Sequence, residues 1–138
     1  MGQDTRRARR KGASGQGLVE FALVLPMLLI LVFGVAEFGR AWMTRNIMTG
    51  AAREAVRIAV VPAPGGDSIT PAMARANQVL ASAGITTASV SVIDNGATFG
   101  SVTATVTYNF PVVIAGFIPG LDNSSIPLVS TTTMRREF

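Results

Sequence analysis

The chain has 138 residues, of which 49% are hydrophobic, and it carries a formal net charge of +4. It contains neither cysteine nor histidine, which excludes disulfides and thiolate or imidazole metal ligands and removes the commonest general base. A chain of this length suffices for a membrane segment and one modest domain, but not for two full domains.

The positive charge is concentrated at the N-terminus. Residues 1–15 hold five basic residues and one acidic residue, whereas residues 16–138 hold seven of each. Without its tail the chain is neutral, so it lacks the basic face that a nucleic-acid-binding domain presents. Because a hydrophobic run follows, we interpret residues 1–15 as a cytoplasmic leader that sets membrane orientation. Its basic residues are Arg6, Arg7, Arg9, Arg10 and Lys11.

An apolar segment follows at residues 16–36. As an α-helix it would be about 31 Å long, which matches the ~30 Å hydrocarbon core of a bilayer and exceeds the apolar core of an ordinary signal peptide. The positive-inside rule places the N-terminus in the cytoplasm and the C-terminal part outside. Pro26 lies within this run, where a membrane helix tolerates proline and usually kinks.

Glu20 stands near the start of the apolar segment. An acidic residue at the centre of a bilayer costs about 2.5–3.5 kcal/mol on insertion scales. Two interpretations are open. Either the carboxylate lies close enough to the cytoplasmic edge to reach the headgroups, or a positive partner neutralises it.

Helical periodicity continues through an extracytoplasmic extension, residues 37–61. A single helix over residues 16–60 would be about 68 Å long, with roughly half of it in the membrane. Pro62 would end it, and Glu54 is spaced to pair with Arg57. The predicted apolar stripe consists of Met43, Ile47, Ala51, Ala55 and Ile58.

Residues 62–138 are predicted to form a small domain that opens with a loop at 62–68. A second helix would begin with Thr70 as N-cap and Pro71 at the first helical position, and Gly84 would be its C-cap. Its predicted buried face consists of Ala72, Ala76, Val79, Leu80 and Ala83.

The period then changes to that of strands, predicted within residues 85–94, 97–110 and 126–137. The triplet "DNG" at 94–96 predicts a hairpin between the first two. Residues 111–121 are apolar but interrupted by glycine and proline. We expect a loop or short helix against the sheet there, or an interfacial or partner contact, rather than a second span.

The predicted fold class is therefore α+β. A single N-terminal transmembrane helix continues into an amphipathic helix. A small extracytoplasmic domain follows, with one further helix and about three antiparallel strands.

Several motifs resemble the TadE-like family of the tight-adherence pilus apparatus, whose members carry class III (type IV-like) signal peptides. A basic run and a glycine precede "VEFALVLP" at 19–26, followed by "EFGRAW" at 37–42 and "AAREAVR" at 51–57. A looser similarity lies in "MRRE" at 134–137. The resemblance covers residues 1–60 well and the last dozen loosely.

The resemblance implies cleavage by a prepilin peptidase after a glycine, with glutamate as the fifth residue of the product. Counting back from Glu20 selects the bond between Gly15 and Gln16, whereas Gly12 and Gly17 do not place Glu20 fifth. Cleavage would create an amino group on Gln16, four residues from Glu20 and on the same helix face. The two charges can pair within one helix or between subunits, in keeping with the assembly role of this glutamate in pilins.

We therefore expect a TadE-like minor pilin or pseudopilin that assists pilus assembly without catalysis. The expected partners are the prepilin peptidase, other pilin-like subunits, the inner-membrane assembly machinery and the lipid bilayer. No nucleic acid, small-molecule substrate, metal or cofactor is expected. The expected location is the bacterial cytoplasmic membrane, in a single pass, with retention there or export in a pilus.

Two alternatives stay open. The triplet "GVA" at 34–36 could serve as a signal-peptidase site, releasing a secreted domain that begins at Glu37. The chain could also be an uncleaved single-span anchor of a secretion complex. An enzyme ranks last because the acidic residues are scattered. "GASGQG" at 12–17 also lacks the strand before it and the Lys-Ser/Thr after it that a phosphate-binding loop requires.

Overall fold

The computed structural model describes residues 11–61, 65–96, 100–117 and 124–136. Within these ranges the chain forms two α-helices, one short 3-10 helix and a three-stranded antiparallel sheet of order β1-β2-β3, so the predicted α+β class is confirmed. The elements are α1 (Lys11–Ala59), α2 (Ile69–Ser82), β1 (Ser89–Asp94), β2 (Ser101–Pro111), the 3-10 helix (Ile114–Phe117) and β3 (Ser125–Arg135).

Helix α1 dominates the molecule. Its 49 residues rise about 73 Å, and it begins at Lys11, earlier than the expected residue 16. Pro26 lies inside the helix and does not end it. At the C-terminal end the carbonyl of Ala59 accepts hydrogen bonds from Ser68 Oγ at 3.1 Å and from Arg136 Nη2 at 3.3 Å. These donors satisfy a carbonyl that has no further helical turn to bind it.

The core lies between the C-terminal part of α1, helix α2 and one face of the sheet. Most of its helical members are alanines, and small side chains let helices approach closely. On the sheet, alternate residues of β2 point into this core. The buried members are Met48, Ala51, Ala52, Ala55, Val56 and Ala59 on α1, Ala72, Ala76 and Leu80 on α2, and Val102, Ala104, Val106 and Phe110 on β2.

The stripe predicted on α1 is partly wrong. Ala51 and Ala55 are buried, and Ile47 and Ile58 are partly buried, but Met43 is 66% exposed. Helix α1 is packed by α2 and by the sheet, so a broader face than one line of residues is covered. The added buried positions are Met48, Ala52, Val56 and Ala59.

The predicted ion pair on α1 is also wrong. Glu54 pairs with Arg75 of α2, with 3.9 Å between Oε2 and Nε, and not with Arg57. The packing of α2 against α1 brings a cation near Glu54 that sequence spacing cannot reveal.

The N-terminus of α2 is capped from outside the helix. Asp67 Oδ1 accepts hydrogen bonds from the backbone N–H groups of Ile69 at 3.0 Å and Thr70 at 3.1 Å. The helix begins at Ile69, so Thr70, the predicted N-cap, lies inside it, and Ser68 occupies the cap position without a side-chain cap bond. The acceptor role falls to Asp67 because a carboxylate satisfies free N–H groups and complements the positive end of the helix.

Helix α2 ends at Ser82 with Ala83 as its C-cap, so Gly84, the predicted C-cap, is the residue after the cap, with a φ of +77°. The Gly84 N–H donates to the Ala81 carbonyl at 3.0 Å, and the Ile85 N–H donates to the Leu80 carbonyl at 2.9 Å. This pair of bonds is a Schellman motif, which requires a left-handed residue that glycine adopts without strain. Ala83, predicted to be buried, is exposed.

The sheet confirms the three predicted strands and their antiparallel order. Strand β1 pairs with β2 from Ser89 opposite Thr107 to Asp94 opposite Val102. Gly96, at φ +65°, donates its N–H to Asp94 Oδ1 at 3.0 Å, which starts the predicted turn. Residues 97–99 lie outside the described part. Strand β3 pairs with β2 along its whole length.

The C-terminal end of the described chain joins three elements through Arg136. Its Nη2 lies 2.6 Å from Asp94 Oδ2 at the end of β1, and it also donates to the Ala59 carbonyl at the end of α1. The Arg136 backbone N–H donates to the Gly100 carbonyl at 2.8 Å. A cation beside the last carbonyls of a helix is favourable, so this contact holds the far end of α1 against the sheet.

The hydrogen bonds to Asp67 make the stability of α2 dependent on pH. They lower the pKa of Asp67 below 3.8, chiefly through the Thr70 side chain and then its backbone N–H. The folded-state pKa is depressed, so the stabilisation is complete above the unfolded value and is lost as pH falls through the folded value. We expect the Asp67→Ala variant to lose less helicity than the wild type when the pH is lowered. Helicity is measured by circular dichroism between neutral pH and pH values below the folded-state pKa of Asp67.

Asp67→Asn provides the matched control, because an amide oxygen can still accept the cap bonds but does not titrate in this range. This variant should keep α2 folded at neutral pH while losing the same pH dependence. An acid transition unchanged in both variants would contradict the assignment to Asp67.

Candidate membrane and assembly site

The N-terminal part of α1 is apolar on every side. Large side chains such as Leu18, Met27 and Val35, exposed at 70%, 78% and 67%, lie at different angles around the helix. The helix is long and apolar enough to cross a membrane, and none of its most apolar stretch is buried by the described chain. A helix that is hydrophobic all round needs apolar surroundings on all sides. The structure is therefore consistent with a single-pass membrane anchor.

Near the start of this segment the structure brings Gln16 and Glu20 together. Gln16 Nε2 donates a hydrogen bond to Glu20 Oε1 at 3.1 Å, across one turn of the helix. Both residues are exposed in the isolated chain. A donor on residue 16 thus reaches the carboxylate within one helix, without help from a second chain.

The other predicted processing and orientation residues surround this pair. Gly15 lies within the helix, and a Cβ built on it would meet no atom within 4 Å, so the position is open to solvent or to a partner. Lys11 is the first residue of α1. The remaining basic residues predicted to set topology, Arg6, Arg7, Arg9 and Arg10, lie outside the described residues.

Pro26 sits in the middle of the apolar segment, ten residues after Gln16 in the sequence. Proline has no N–H to donate to the carbonyl of Ala22, so one helical hydrogen bond is missing there. The helix nevertheless continues on both sides. The kink stays a prediction.

Where the apolar segment ends, Glu37 ties α1 to the domain. Glu37 Oε1 accepts a hydrogen bond from Arg40 Nη1 at 2.8 Å and one from the backbone N–H of Val113 at 3.3 Å. The Arg40 guanidinium lies 5.1 Å from the centroid of the Phe110 ring, a cation–π contact. Only 16% of the Glu37 side chain is exposed. This junction fixes the segment after β2 at the level of residue 37.

The Glu37 junction is a structural feature of this region that the sequence interpretation missed. The available signal was the spacing of Glu37 and Arg40, three residues apart and the first charges after the apolar run. Nothing in the sequence connects Glu37 with Val113, which lies 76 positions further on. The contact depends on the fold, because β2 starts near the C-terminal end of α1 and runs back toward residue 37.

The described ranges offer no metal site as an alternative candidate. No group of three or more His, Cys, Asp or Glu side chains in that part of the chain is arranged to hold a metal ion. Carboxylates in this part of the chain instead make ion pairs, capping contacts or the Gln16–Glu20 bond.

Removing the Glu37 carboxylate should loosen the segment after β2. In Glu37→Ala, loss of one hydrogen bond of about 1 kcal/mol should accelerate hydrogen exchange of the Val113 amide roughly fivefold. Exchange is measured by mass spectrometry or NMR on the full chain in lipid nanodiscs. Glu54→Ala, which removes an exposed pair elsewhere on α1, is the control and should leave Val113 unchanged. Equal exchange in the wild type and Glu37→Ala would show that the junction is not formed in lipid.

Comparison with known proteins adds a family to this geometry. The sequence model of a family described as TadE-like protein matches residues 15–57. The match confirms the predicted resemblance over these residues, and it covers the Gln16–Glu20 pair, the apolar segment, and Glu37 and Arg40 of the junction, but not Val113 or Phe110. It indicates a part in tight-adherence pilus assembly, with pilus subunits and the membrane as partners, in a family that is generally non-catalytic. No curated protein and no solved structure matches the chain.

Proposed function

From a chain whose residues 15–57 are TadE-like, we propose a minor pilin or pseudopilin that acts in assembly of a tight-adherence pilus. The observation that carries the proposal is one helix with two environments. Residues 16–36 present apolar side chains in all directions, and the last turns of the same helix form the core of the domain. Such a subunit works by position and contact, and it requires no catalytic residue.

We propose processing by a prepilin peptidase between Gly15 and Gln16. Support comes from the glycines at positions 12, 15 and 17. Each glycine inside a helix costs roughly 0.5–1 kcal/mol relative to alanine. The first turns of α1 are therefore its weakest, and they can unwind to present a peptide bond to the enzyme while the apolar part stays helical.

Cleavage would change the partner of Glu20. The new amino group would stand at the backbone nitrogen of Gln16, one turn from the carboxylate and on the same face. The 3.1 Å bond from Gln16 Nε2 to Glu20 Oε1 supports the pairing, because it places the Glu20 carboxylate on the side of the helix where residue 16 lies. A lone carboxylate or ammonium in hydrocarbon is costly, so both groups favour states in which they are partnered.

The same pairing can form between neighbouring subunits. The amine of one helix would then lie beside Glu20 of the next, which would fix the axial offset between the two helices. This supplies an assembly signal from a single charge in an otherwise apolar surface, in the way that one polar residue sets register in a coiled coil.

The continuity of α1 favours this proposal over a secreted domain. The helix passes through residues 34–36 without interruption. Cleavage there would cut the helix and place an amine beside Glu37, whose carboxylate holds Arg40 and Val113. A domain released in this way would lose the apolar segment that lies within the family match.

The N-terminal residue of the protein purified from its own membranes tests the proposal. We expect Gln16, detected by N-terminal sequencing and intact mass, because cleavage before Gln16 makes Glu20 the fifth residue of the mature protein, as in the family that the chain resembles. Gly15→Val should leave the basic leader attached, since a branched side chain would occupy the open site beside the scissile bond. Gly17→Val is the matched control and should still be cleaved. A mature protein that begins at Glu37, or an intact leader in the wild type, would contradict the proposal.

Glu20 gives an independent test of its assembly role. Glu20→Ala should insert into the membrane at wild-type levels, because loss of an acidic residue lowers the cost of insertion. It should strongly reduce the amount of pili sheared from the cells, measured by immunoblot against the cell-bound fraction. Val19→Ala, an adjacent exposed position without charge, is the control. Wild-type amounts of sheared pili from cells that carry Glu20→Ala would contradict the proposed assembly role of the carboxylate.

A further inference from the structure

The end of the domain nearest to residue 37 carries an exposed apolar surface. Val113, in the segment after β2, is 56% exposed, and Ile126, opposite Phe110 in the register, is 52% exposed. On α1 at this level, Phe38 and Trp42 are 69% and 58% exposed, with their rings stacked at a centroid distance of 6.2 Å. We call Phe38, Trp42, Val113 and Ile126 the membrane-proximal surface.

The contacts of Glu37 fix where this surface lies along α1. The Val113 N–H is 3.3 Å from Glu37 Oε1, so Val113 lies within one side-chain length of the first charge after the apolar segment. The Val112 N–H donates to the Ser124 carbonyl at 3.1 Å, which holds the strand ends together at the same level. If residues 16–36 fill the hydrocarbon core, Val113 stands at its outer boundary.

Trp42 extends this surface away from the boundary. It lies five positions beyond Glu37 in the sequence, a rise of about 8 Å along the helix. The headgroup region adds roughly 5–8 Å on each side of the hydrocarbon core. Tryptophan is enriched in this layer because its ring is apolar and its N–H is polar.

The charges at this end of the domain do not oppose contact with lipid. Glu37 and Arg40 neutralise each other in a pair 2.8 Å apart. Arg45 follows Trp42 by three residues, and a cation there is compatible with lipid headgroups. The outer face of the sheet is mixed. Its threonines bond across the strands, Thr103 to Thr133 and Thr105 to Thr131, and its exposed apolar residues, Ile93 and Val129, each lie opposite a threonine. What distinguishes the end nearest to residue 37 is that exposed apolar residues of α1 and of the sheet region stand there at the level where the apolar segment ends.

We propose that the membrane-proximal surface lies in the headgroup layer of the outer leaflet, and so attaches the domain to the membrane at a second place. This inference rests on the membrane span in the proposed function. The attachment holds the sheet upright on the bilayer and sets the direction in which its outer face is presented. The occupant of the surface is the lipid interface, and not a second copy of the chain.

The composition of the chain makes the test direct. It has no cysteine and a single tryptophan, so one introduced cysteine gives a unique label and Trp42 gives a native probe. We would label Val113→Cys, Ser91→Cys and Leu28→Cys with an environment-sensitive fluorophore in the full chain, in phosphatidylcholine–phosphatidylglycerol vesicles. Ser91, exposed and paired with Thr105, lies about 20 Å further along the sheet and is the control. Leu28 reports on the span.

Lipids that carry a quencher near the headgroup should quench Val113→Cys several-fold more than Ser91→Cys, and should also quench Trp42. Lipids with a quencher deep in the chains should quench Leu28→Cys most. If Val113→Cys is quenched no more than Ser91→Cys while Leu28→Cys responds, the second attachment is overturned and the span stands. If Leu28→Cys does not respond, the proposed membrane span itself fails.

Raising the lipid-to-protein ratio distinguishes lipid from a second copy of the chain as the occupant of the membrane-proximal surface. Quenching of Val113→Cys by headgroup quenchers should stay constant as the lipid-to-protein ratio rises. An apolar environment at residue 113 that is present only at high protein density would assign the surface to a second copy of the chain, and would overturn its assignment to lipid.

Discussion

The rest of the structure depends on one constraint: a single helix, α1, must suit both lipid hydrocarbon and a packed protein core. Over residues 16–36, α1 presents apolar side chains all round, which suits hydrocarbon. In its last turns the same helix presents alanines to α2 and the sheet, which suits a tightly packed core. The change occurs at Glu37, where a pair with Arg40 and a bond from Val113 mark the boundary. Because α1 runs through this point without interruption, a displacement of its apolar part would be passed on to the domain.

The domain is small, so its ends are held by polar contacts in addition to its core. Arg136 and Ser68 both donate to the Ala59 carbonyl at the far end of α1, and Thr49 Oγ1 lies 2.8 Å from Ser130 Oγ, joining α1 to β3. Removal of the Thr49 hydroxyl would take this partner from the buried Ser130 hydroxyl, and leaving a buried polar group unsatisfied costs more than the bond itself contributes. The "MRRE" motif, which resembles the family only loosely, thus has a structural role through Arg136.

The elements were predictable because their signals are local. The apolar run, the glycine at 84 and the alternation of valine or alanine with threonine each act through residues that are close in sequence. Tertiary contacts were not predictable in the same way. Met43 fits a helical period, but its side chain is 66% exposed because it does not lie on the face of α1 that the domain covers. Glu54 finds Arg75 because α2 packs beside it. At the candidate site, the proximity of Gln16 and Glu20 follows from helical spacing, whereas the contact of Glu37 with Val113 follows only from the return of β2 along α1.

The claim that α1 is one rod shared by lipid and domain is tested most directly by hydrogen exchange of its backbone amides in lipid nanodiscs. A continuous rod predicts slow exchange without interruption from residue 20 to residue 59, through the junction at Glu37, with faster exchange confined to the glycine-containing first turns. A fast-exchanging break between residues 34 and 47 would contradict it, because the membrane segment and the domain would then be two helices joined by a flexible link.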